Sequence, residues 1–598
     1  MCRIAGIIDK KKGNLELESE IQSMCELLEH GGPDDEGFLV EEGLAFGHRR
    51  LALIDLSPSG HQPMFYHQGQ LAITFNGEIY NYLELRSELI SLGFEFSTKS
   101  DTEVILAGYQ AWGTGSFAKL KGMFAFAIYD RKLGKSFLVR DPSGIKPLYF
   151  STANESLVFA SEVRAFKWLK HEENPDWKIY FLAFGHIPEP YTTFLGINML
   201  AKGHYLSWEH QNNFFEILGF ESNRANPRIM DQAVATDQVF KTLKASVKRH
   251  LLSDAPIGVF LSGGIDSSIL TLLADEVQLA ENDQKGVNTL SINFDEHEFS
   301  EKSYQELIIS QIRGSHSDYT ISKDLFSSLF PRALAAMDQP TTDGINSWFV
   351  NYFAKEKGLK AVLSGIGADE LFGGYPSFRR MPKLKYLSLV PSSLLKFGSY
   401  FNKSVFKRAY YLSYKNFAGQ YLFLRGIFSP PEIAAILNLP ISKINLVLKS
   451  FHVNMPPHLS DQERASWMET NLYMQNQLLK DTDTMSMQHG IEVRIPFLDA
   501  DLISLVSSIK DNVLYSGEQP KSLLIESFKK LLPQAIWDRP KMGFTFPFQK
   551  WLQDEKCLNH IGTESKKVNQ LLSDFKAGKL HWSKAMALYV LFKDRDAA

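Results

Sequence analysis

Leu261-Ser262-Gly263-Gly264-Ile265-Asp266-Ser267-Ser268 lies between a short apolar run, residues 257–261, and an apolar helical stretch near 267–274. Strand, glycine turn and helix in that order form the unit of a parallel sheet covered by helices. Working outward, residues 290–294 and 361–363 read as further strands with helices between them, and beyond Lys383 the chain turns helix-rich to its end. Residues 230–598 are therefore expected to form an α/β domain with a helical C-terminal part. In the quoted turn the two glycines let a ligand approach the backbone, and the amides opening the helix make an anion cradle. Ser262, Ser267 and Ser268 add hydroxyl donors, and Asp266 offers a carboxylate suited to Mg2+ rather than to phosphate itself. A lone Gly-Gly before a helix is otherwise an ordinary capped turn.

The whole string, SGGxDS after an apolar strand, resembles the signature of the PP-loop ATP pyrophosphatases and not the GxxxxGK(S/T) loop of kinases and GTPases. That resemblance implies ATP cleaved between its α and β phosphates, with AMP left on an acceptor. A second glycine-rich loop follows the strand at 361–363: Ser364-Gly365-Ile366-Gly367-Ala368-Asp369-Glu370-Leu371-Phe372-Gly373-Gly374-Tyr375. Ligands of parallel sheets gather at the carboxyl ends of the strands, so both loops are expected to face one site, with Asp266 and Asp369 holding Mg2+.

The first 200 residues have a different texture. Leu71-Ala72-Ile73-Thr74-Phe75, Met123-Phe124-Ala125-Phe126-Ala127-Ile128-Tyr129 and Ser136-Phe137-Leu138-Val139-Arg140 are short apolar or alternating strands, with helical periodicity near 15–28 and 83–92. An α+β domain of stacked sheets with flanking helices is expected. Gly203-His204-Tyr205-Leu206-Ser207-Trp208 reads as its last strand, which sets the domain at 2–208 and makes the polar stretch 209–229 a linker. Cys2 opens this domain in Met1-Cys2-Arg3-Ile4-Ala5-Gly6-Ile7. Removal of Met1 would put a thiol and a free amine on one residue. An α-amine of pKa about 8 can take the thiol proton without a catalytic histidine. An accidental cysteine at the start of a strand is the plain alternative.

At 598 residues the chain exceeds what one hydrophobic core supports. Its 44% hydrophobic and 22% charged composition is that of a soluble globular protein, and a net charge of −4 gives no bias toward nucleic acid or an anionic membrane. Three cysteines, Cys2, Cys25 and Cys557, make neither a disulfide framework nor a zinc pattern. No apolar run is long enough to span a bilayer and the start is not a signal peptide, so a cytoplasmic protein without membrane insertion is expected. Lys385, Lys396, Lys403, Lys407, Tyr410 and Tyr411, in residues 384–424, are read as a solvated face in preference to a membrane or acidic-partner surface.

Along essentially its whole length the chain resembles the glutamine-hydrolysing asparagine synthetases. Its N-terminal half is similar to a class II glutamine amidotransferase domain, which has the N-terminal nucleophile (Ntn) hydrolase sandwich fold. The matching motifs are His48-Arg49-Arg50-Leu51, Phe75-Asn76-Gly77-Glu78-Ile79-Tyr80-Asn81 and Ser100-Asp101-Thr102-Glu103-Val104-Ile105. The resemblance implies Cys2 as the nucleophile on glutamine, and Asn76 with the Gly77 amide as the oxyanion hole. It further implies Arg50 as the clamp on the α-carboxylate, and Glu78 and Asp101 as holders of the α-amino group. In the second half it assigns Leu261, Ser262, Gly263, Gly264, Asp266 and Ser267 to ATP, Ile292 and Gly365 to the border of adenine and ribose, and Asp266 and Asp369 to Mg2+. Lys521 would stabilise charge during transfer. Arg494-Ile495-Pro496-Phe497-Leu498-Asp499 and Arg539-Pro540-Lys541-Met542-Gly543-Phe544 read as fold and loop supports. The implied reaction is amide formation from glutamine, ATP and aspartate, with ammonia crossing a sheltered apolar passage; a homodimer is a further analogy.

Two departures stand out. Gly31, in His30-Gly31-Gly32-Pro33-Asp34, occupies a position where the family usually carries Arg, and Ile366 one where many members have a glutamate implicated in acyl activation or transfer. Isoleucine neither accepts a proton nor orients an amine, so either a nearby acid such as Glu370 covers the role or the acceptor differs. Asp338-Gln339-Pro340-Thr341-Thr342-Asp343-Gly344-Ile345-Asn346 falls in the acceptor region by the same analogy and makes Asp343 a candidate. Aspartate is the expected acceptor, with a uronic acid or a secondary-metabolite or peptide acid as the alternative. Three other classes compete: an amidotransferase with a phosphoribosyl or sugar-phosphate acceptor, a β-lactam-forming synthetase, and a silent scaffold. The SGGIDS loop opposes the first and Cys2 the second. Joint retention of Cys2, Arg50, Asn76, Asp101, Asp266 and Asp369 opposes the third.

Overall fold

The computed structural model describes residues 2–592 apart from 170, 221–227, 282–285, 388, 402, 541 and 555–564. Met1, Lys541, Cys557 and the middle of the expected linker thus lie outside the described residues. The N-terminal unit is a four-layer sandwich. One antiparallel sheet runs in spatial order Asn198–Met199, Tyr149–Ser151, Leu157–Ala160, Arg3–Ile8, Leu44–Arg50, Asp35–Glu41. The other runs Phe214–Gly219, His204–Glu209, Lys135–Arg140, Gly122–Asp130, Leu71–Ile79, Met64–Tyr66. Alternation along the strands divides their side chains between two faces. Ile4, Ile8, Phe46 and Phe159 meet Ala72, Ala125, Ala127 and Trp208 between the sheets, small residues opposite large ones. The opposite faces are covered by helices: Asn14–Glu26 packs on one sheet, Tyr82–Ser91 and Asp101–Trp112 on the other.

The expected linker, 209–229, contains an edge strand of this sandwich. Phe214–Gly219 pairs with His204–Glu209, and Asn212 and Asn213 form the turn between them. The Phe214 amide donates to Asn212 Oδ1 at 3.0 Å, and Asn213 takes a left-handed φ of +57°. All six strand residues are exposed, so the stretch carries no burial signal for a sequence reading to find.

Five parallel strands form the second unit's sheet, in the order His316–Ile321, Asn288–Phe294, Ile257–Phe260, Ala361–Leu363, Glu492–Arg494. From Ile257–Phe260 the chain first builds toward one edge and later toward the other. The crevice at such a switch point lies outside the carboxyl ends of the two central strands. The quoted SGGxDS loop follows one of them and the Asp369 loop follows the other. No helix among the described residues is long and apolar enough to cross a membrane.

No solvent layer separates the units. Leu51, Leu53, Tyr80, Met123 and Ile145 of the sandwich belong to the same buried core as Val259, Leu363 and Val493 of the parallel sheet. Buried ion pairs fasten the seam. Asp483 is 2.7 Å from Arg3 Nη1 and 2.8 Å from Lys146 Nζ, and Arg494 Nη2 is 3.5 Å from Glu78 Oε1.

Candidate functional sites

Cys2 precedes the central strand Arg3–Ile8 and is buried, its Sγ 3.9 Å from the Leu51 carbonyl oxygen. It lines a pocket with Arg50, Gln62, Gly77, Glu78 and Asp101, and no histidine is among the described lining residues. Burial pushes the thiol up to about 11, so it is protonated at neutral pH and needs a base to become a nucleophile.

Gly77 lines this pocket from the strand Leu71–Ile79; Asn76, beside it on the strand, is not among the lining residues, and the two are paired with Phe124 and Ala125. The Asn76 side chain is fully buried, and neither its Nδ2 nor its Oδ1 has a protein partner. Such a group costs about 1–3 kcal/mol unless something satisfies it, so a ligand or water is needed to complete its hydrogen bonds. At Gly77 a Cβ would fall 2.1 Å from the Met123 carbonyl oxygen, so glycine alone lets the strand run so close to its neighbour.

The pocket is electrically polarised. The Arg50 guanidinium is oriented by two backbone carbonyls, those of Asp55 at 2.5 Å and Ser57 at 3.0 Å, and no carboxylate among the described residues pairs with it. Glu78 and Asp101 line the same pocket. Asp101 Oδ2 accepts the Ile79 amide at 2.9 Å, and burial raises its carboxyl to about 6. Glu78 is also raised, by burial and then by Glu492, with Arg494 opposing. One guanidinium with two carboxylates complements a free amino acid, which carries a carboxylate and an ammonium.

The structure accounts for Gly31. A Cβ there would lie 2.6 Å from Arg3 Cγ and 2.9 Å from Arg3 Nε. Arg3 cannot yield, because its fully buried guanidinium is 2.7 Å from both Glu162 and Asp483. Burial alone would raise the Glu162 carboxyl, but His30, Arg3 and Arg164 hold it well below the usual range. An arginine thus occupies this space, reached from position 3 instead of position 31.

At the switch point of the parallel sheet opens a cleft of about 470 Å³. Leu261, Ser262, Gly264, Asp266, Ser267, Ile292 and Gly365 all line it. Gly263 does not; it stands at φ +85° and its carbonyl accepts Arg539 Nη2 at 2.9 Å. Inside the loop, Ser262 Oγ lies 3.0 Å from Ser267 Oγ and accepts the Gly264 amide at 3.2 Å. The two strand-end loops touch: a Cβ on Gly365 would be 2.9 Å from Asp266 Cβ. Lys521, at φ +60°, puts Nζ 2.6 Å from Asp266 Oδ2 and 2.6 Å from Asp369 Oδ1. Burial would lower this amine, and the two carboxylates raise it well above its ordinary range.

Asp266 and Asp369 therefore converge on a point held by a cation. Among the described residues no group of three or more His, Cys, Asp or Glu is arranged for a metal. Two carboxylates completed by phosphate oxygens and water form a donor set that fits Mg2+, with Lys521 Nζ standing where the ion's charge would be.

Ile366, Asp343, Asp481 and Asn351 line the same cleft. Glu370, the candidate for the role that Ile366 lacks, does not. Its carboxylate accepts the Tyr375 hydroxyl at 2.8 Å and the Gly367 amide at 3.1 Å, which fixes the loop. Asp481 was not singled out from the sequence, where it is one acid in Lys480-Asp481-Thr482-Asp483 on a helix. It accepts the Thr341 hydroxyl at 2.7 Å, and burial, then the Asp343 charge, raises its carboxyl well above the usual range. Arg539, read as a loop support, reaches into the cleft wall and is 2.7 Å from Glu301.

An amino-acid pocket beside Cys2 and a PP-loop cleft, joined by one core, define a two-site amidotransferase–synthetase. Residues 1–216 match the family model described as a glutamine amidotransferase domain, and residues 238–586 the one described as asparagine synthase. The chain belongs to the glutamine-hydrolysing asparagine synthetase family. It is 30% identical to "Asparagine synthetase [glutamine-hydrolyzing] 1" of Bacillus subtilis, over 99% of this chain and 96% of the relative. Against a putative asparagine synthetase of Mycobacterium tuberculosis the identity is 30%, over 90% and 86%. Against "Amidase chry2" of Gibberella zeae it is 26%, over 89% and 85%.

Proposed function

We propose that this chain is a glutamine-dependent asparagine synthetase. The observation that carries the reading is a pocket shaped for a zwitterion at Cys2, sharing a buried core with a cleft in which the SGGxDS loop and the Asp369 loop meet. Removal of Met1 frees the Cys2 amine, which takes the thiol proton. Sγ attacks the glutamine carboxamide, held by Arg50 at one end and by Glu78 and Asp101 at the other. The oxyanion is met by Asn76 Nδ2 and the Gly77 amide. Collapse of the tetrahedral adduct expels ammonia and leaves a γ-glutamyl thioester, which water cleaves to glutamate.

Ammonia crosses the seam beside Leu51, Leu53 and Met123, where water is excluded and its lone pair stays unprotonated. In the cleft, Ser262, Gly264 and Ser267 grip the ATP phosphates while the acceptor carboxylate attacks the α-phosphorus and pyrophosphate leaves. Asp266 and Asp369 would hold Mg2+, which would supply neutralisation of the phosphate charge. Lys521 turns its ammonium to the same oxygens. Ammonia then attacks the acyl-adenylate, giving the amide and AMP.

A second reading, amidation of a carboxylate other than aspartate such as a uronic acid, is favoured by the acceptor end. Its described lining offers Ile366, Asp343 and Asp481, while the cations among the described lining residues, Lys521 and Arg539, are engaged by protein carboxylates. Incubation with amide-15N glutamine, ATP and a panel of acids, followed by mass spectrometry, tests both. Labelled asparagine with equal AMP and pyrophosphate is expected. A labelled amide from another acid, with none from aspartate, replaces the first reading by the second. Release of ADP and orthophosphate overturns both.

A further inference from the structure

Residues 371–431 contain ten Lys and Arg and not one Asp or Glu, within a chain of net charge −4, so the remainder stands at −14. The segregation has a spatial counterpart. Helix Pro376–Leu387 leads out from the Asp369 loop and is followed by the short helices Ser392–Phe397 and Ser404–Leu412. They turn large apolar side chains to solvent: Leu389 is 81% exposed, Tyr400 82% and Leu394 62%. Phe397, Tyr400, Phe401 and Phe406 form one contiguous exposed cluster, with ring centroids 5.6–5.8 Å apart between successive neighbours. Single apolar residues on a surface are ordinary, but a joined cluster of this size marks an interaction site. Along the same stretch Lys383, Lys396 and Lys403 are exposed, and no carboxylate among the described residues pairs with them.

We propose that this face docks on an anionic lipid bilayer, the aromatic cluster entering the headgroup layer and the lysines meeting lipid phosphates. Interfacial aromatic rings beside lysines are the chemistry of peripheral membrane binding. The alternatives fit less well. A second copy of this chain would bring the exposed Lys383, Lys396 and Lys403 up against their own images in a two-fold contact. Nucleic acid would satisfy the lysines and leave Leu389 and Leu394 in water. Protein interface cores are depleted in lysine, whereas here Lys396 and Lys403 flank the apolar residues closely in the chain.

Flotation of the full-length protein with vesicles tests this. Binding to phosphatidylglycerol-containing vesicles, weakened by salt and absent for pure phosphatidylcholine, is expected. Each lysine near an anionic surface contributes roughly fivefold, so the triple variant K383Q/K396Q/K403Q should lose on the order of a hundredfold in affinity. F397S/Y400S/F401S should abolish flotation. Both should hydrolyse glutamine in solution at the parent rate, which reports intact folding. Failure of the parent to float, or equal binding to neutral vesicles, overturns the proposal. So does a shift from dimer to monomer in sedimentation caused by the serine variant, which would make the face a contact between copies.

Discussion

Arg3 and Gly31 compete for one volume, and that competition is testable. Gly31→Arg would bury a second guanidinium against the first, with a loss of stability of about 3–5 kcal/mol. Arg3→Gly combined with Gly31→Arg should recover most of it, measured as the urea midpoint of each variant. Asp101 supplies a pH dependence. With its carboxyl at about 6, it is ionised at pH 7 and neutral below pH 5. Glutamine affinity should therefore fall as pH drops through 6, about tenfold by pH 5, and Asp101→Asn should flatten that limb of the KM profile. Cys2, Arg50, Asn76 and Asp101 were named through the resemblance of their short motifs to the amidotransferase family; taken singly, Asn76-Gly77 is a good turn dipeptide, Arg50 a surface partner and Asp101 a helix cap. Asp481 was not named, since a carboxylate on a mid-chain helix looks like a solvated one until Thr341 and Asp343 are brought against it. Glu370 was misleading for the opposite reason: adjacency to Asp369 in sequence says nothing of which way a capping carboxylate faces.

Among the elements, the strand Leu71–Ile79 carries the most chemistry in the fewest residues. Gly77→Ala would drive a methyl into the Met123 carbonyl and push the two strands apart. We expect glutamine hydrolysis to fall at least a hundredfold while synthesis from added ammonium chloride is retained, because the second cleft is built on another sheet. The strands Ile257–Phe260 and Ala361–Leu363 were readable as apolar runs ending in glycine turns, and their loops meet as that reading required. His316–Ile321 and Glu492–Arg494 were not: one is a half-exposed polar edge, and the other, Glu-Val-Arg, is buried yet two-thirds charged and so shows no apolar run. The hairpin strand Phe214–Gly219 escaped notice because its Asn-rich turn has the composition of a linker.

At the scale of the molecule, Asp483 joins the strand behind the nucleophile to the synthetase unit. Arg3 and Lys146 hold its carboxyl below the ordinary range although burial opposes them, and Glu162 behaves likewise. Both acids would take up protons on unfolding. Their stabilisation is therefore complete at neutral pH and lost as pH falls below the ordinary carboxylate value, so denaturant midpoints should drop steeply on acidification. Asp483→Asn should lower stability by about 3–5 kcal/mol and remove much of that acid sensitivity. It should also raise the ratio of glutamate to AMP formed, since ammonia released from a loosened sandwich escapes. Sequence patterns announced two units; the way they interlock follows from pairings between residues hundreds of positions apart.

Because Leu51, Tyr80 and Met123 are packed as deeply against the neighbouring unit as against their own, the halves resemble two pieces cast in one mould. Grafting a foreign glutaminase onto this synthetase would leave mismatched surfaces at the joint unless the matching residues travelled with it. Chimeras cut through the hairpin near residue 213 should aggregate, whereas exchanges confined to the outer helices should not.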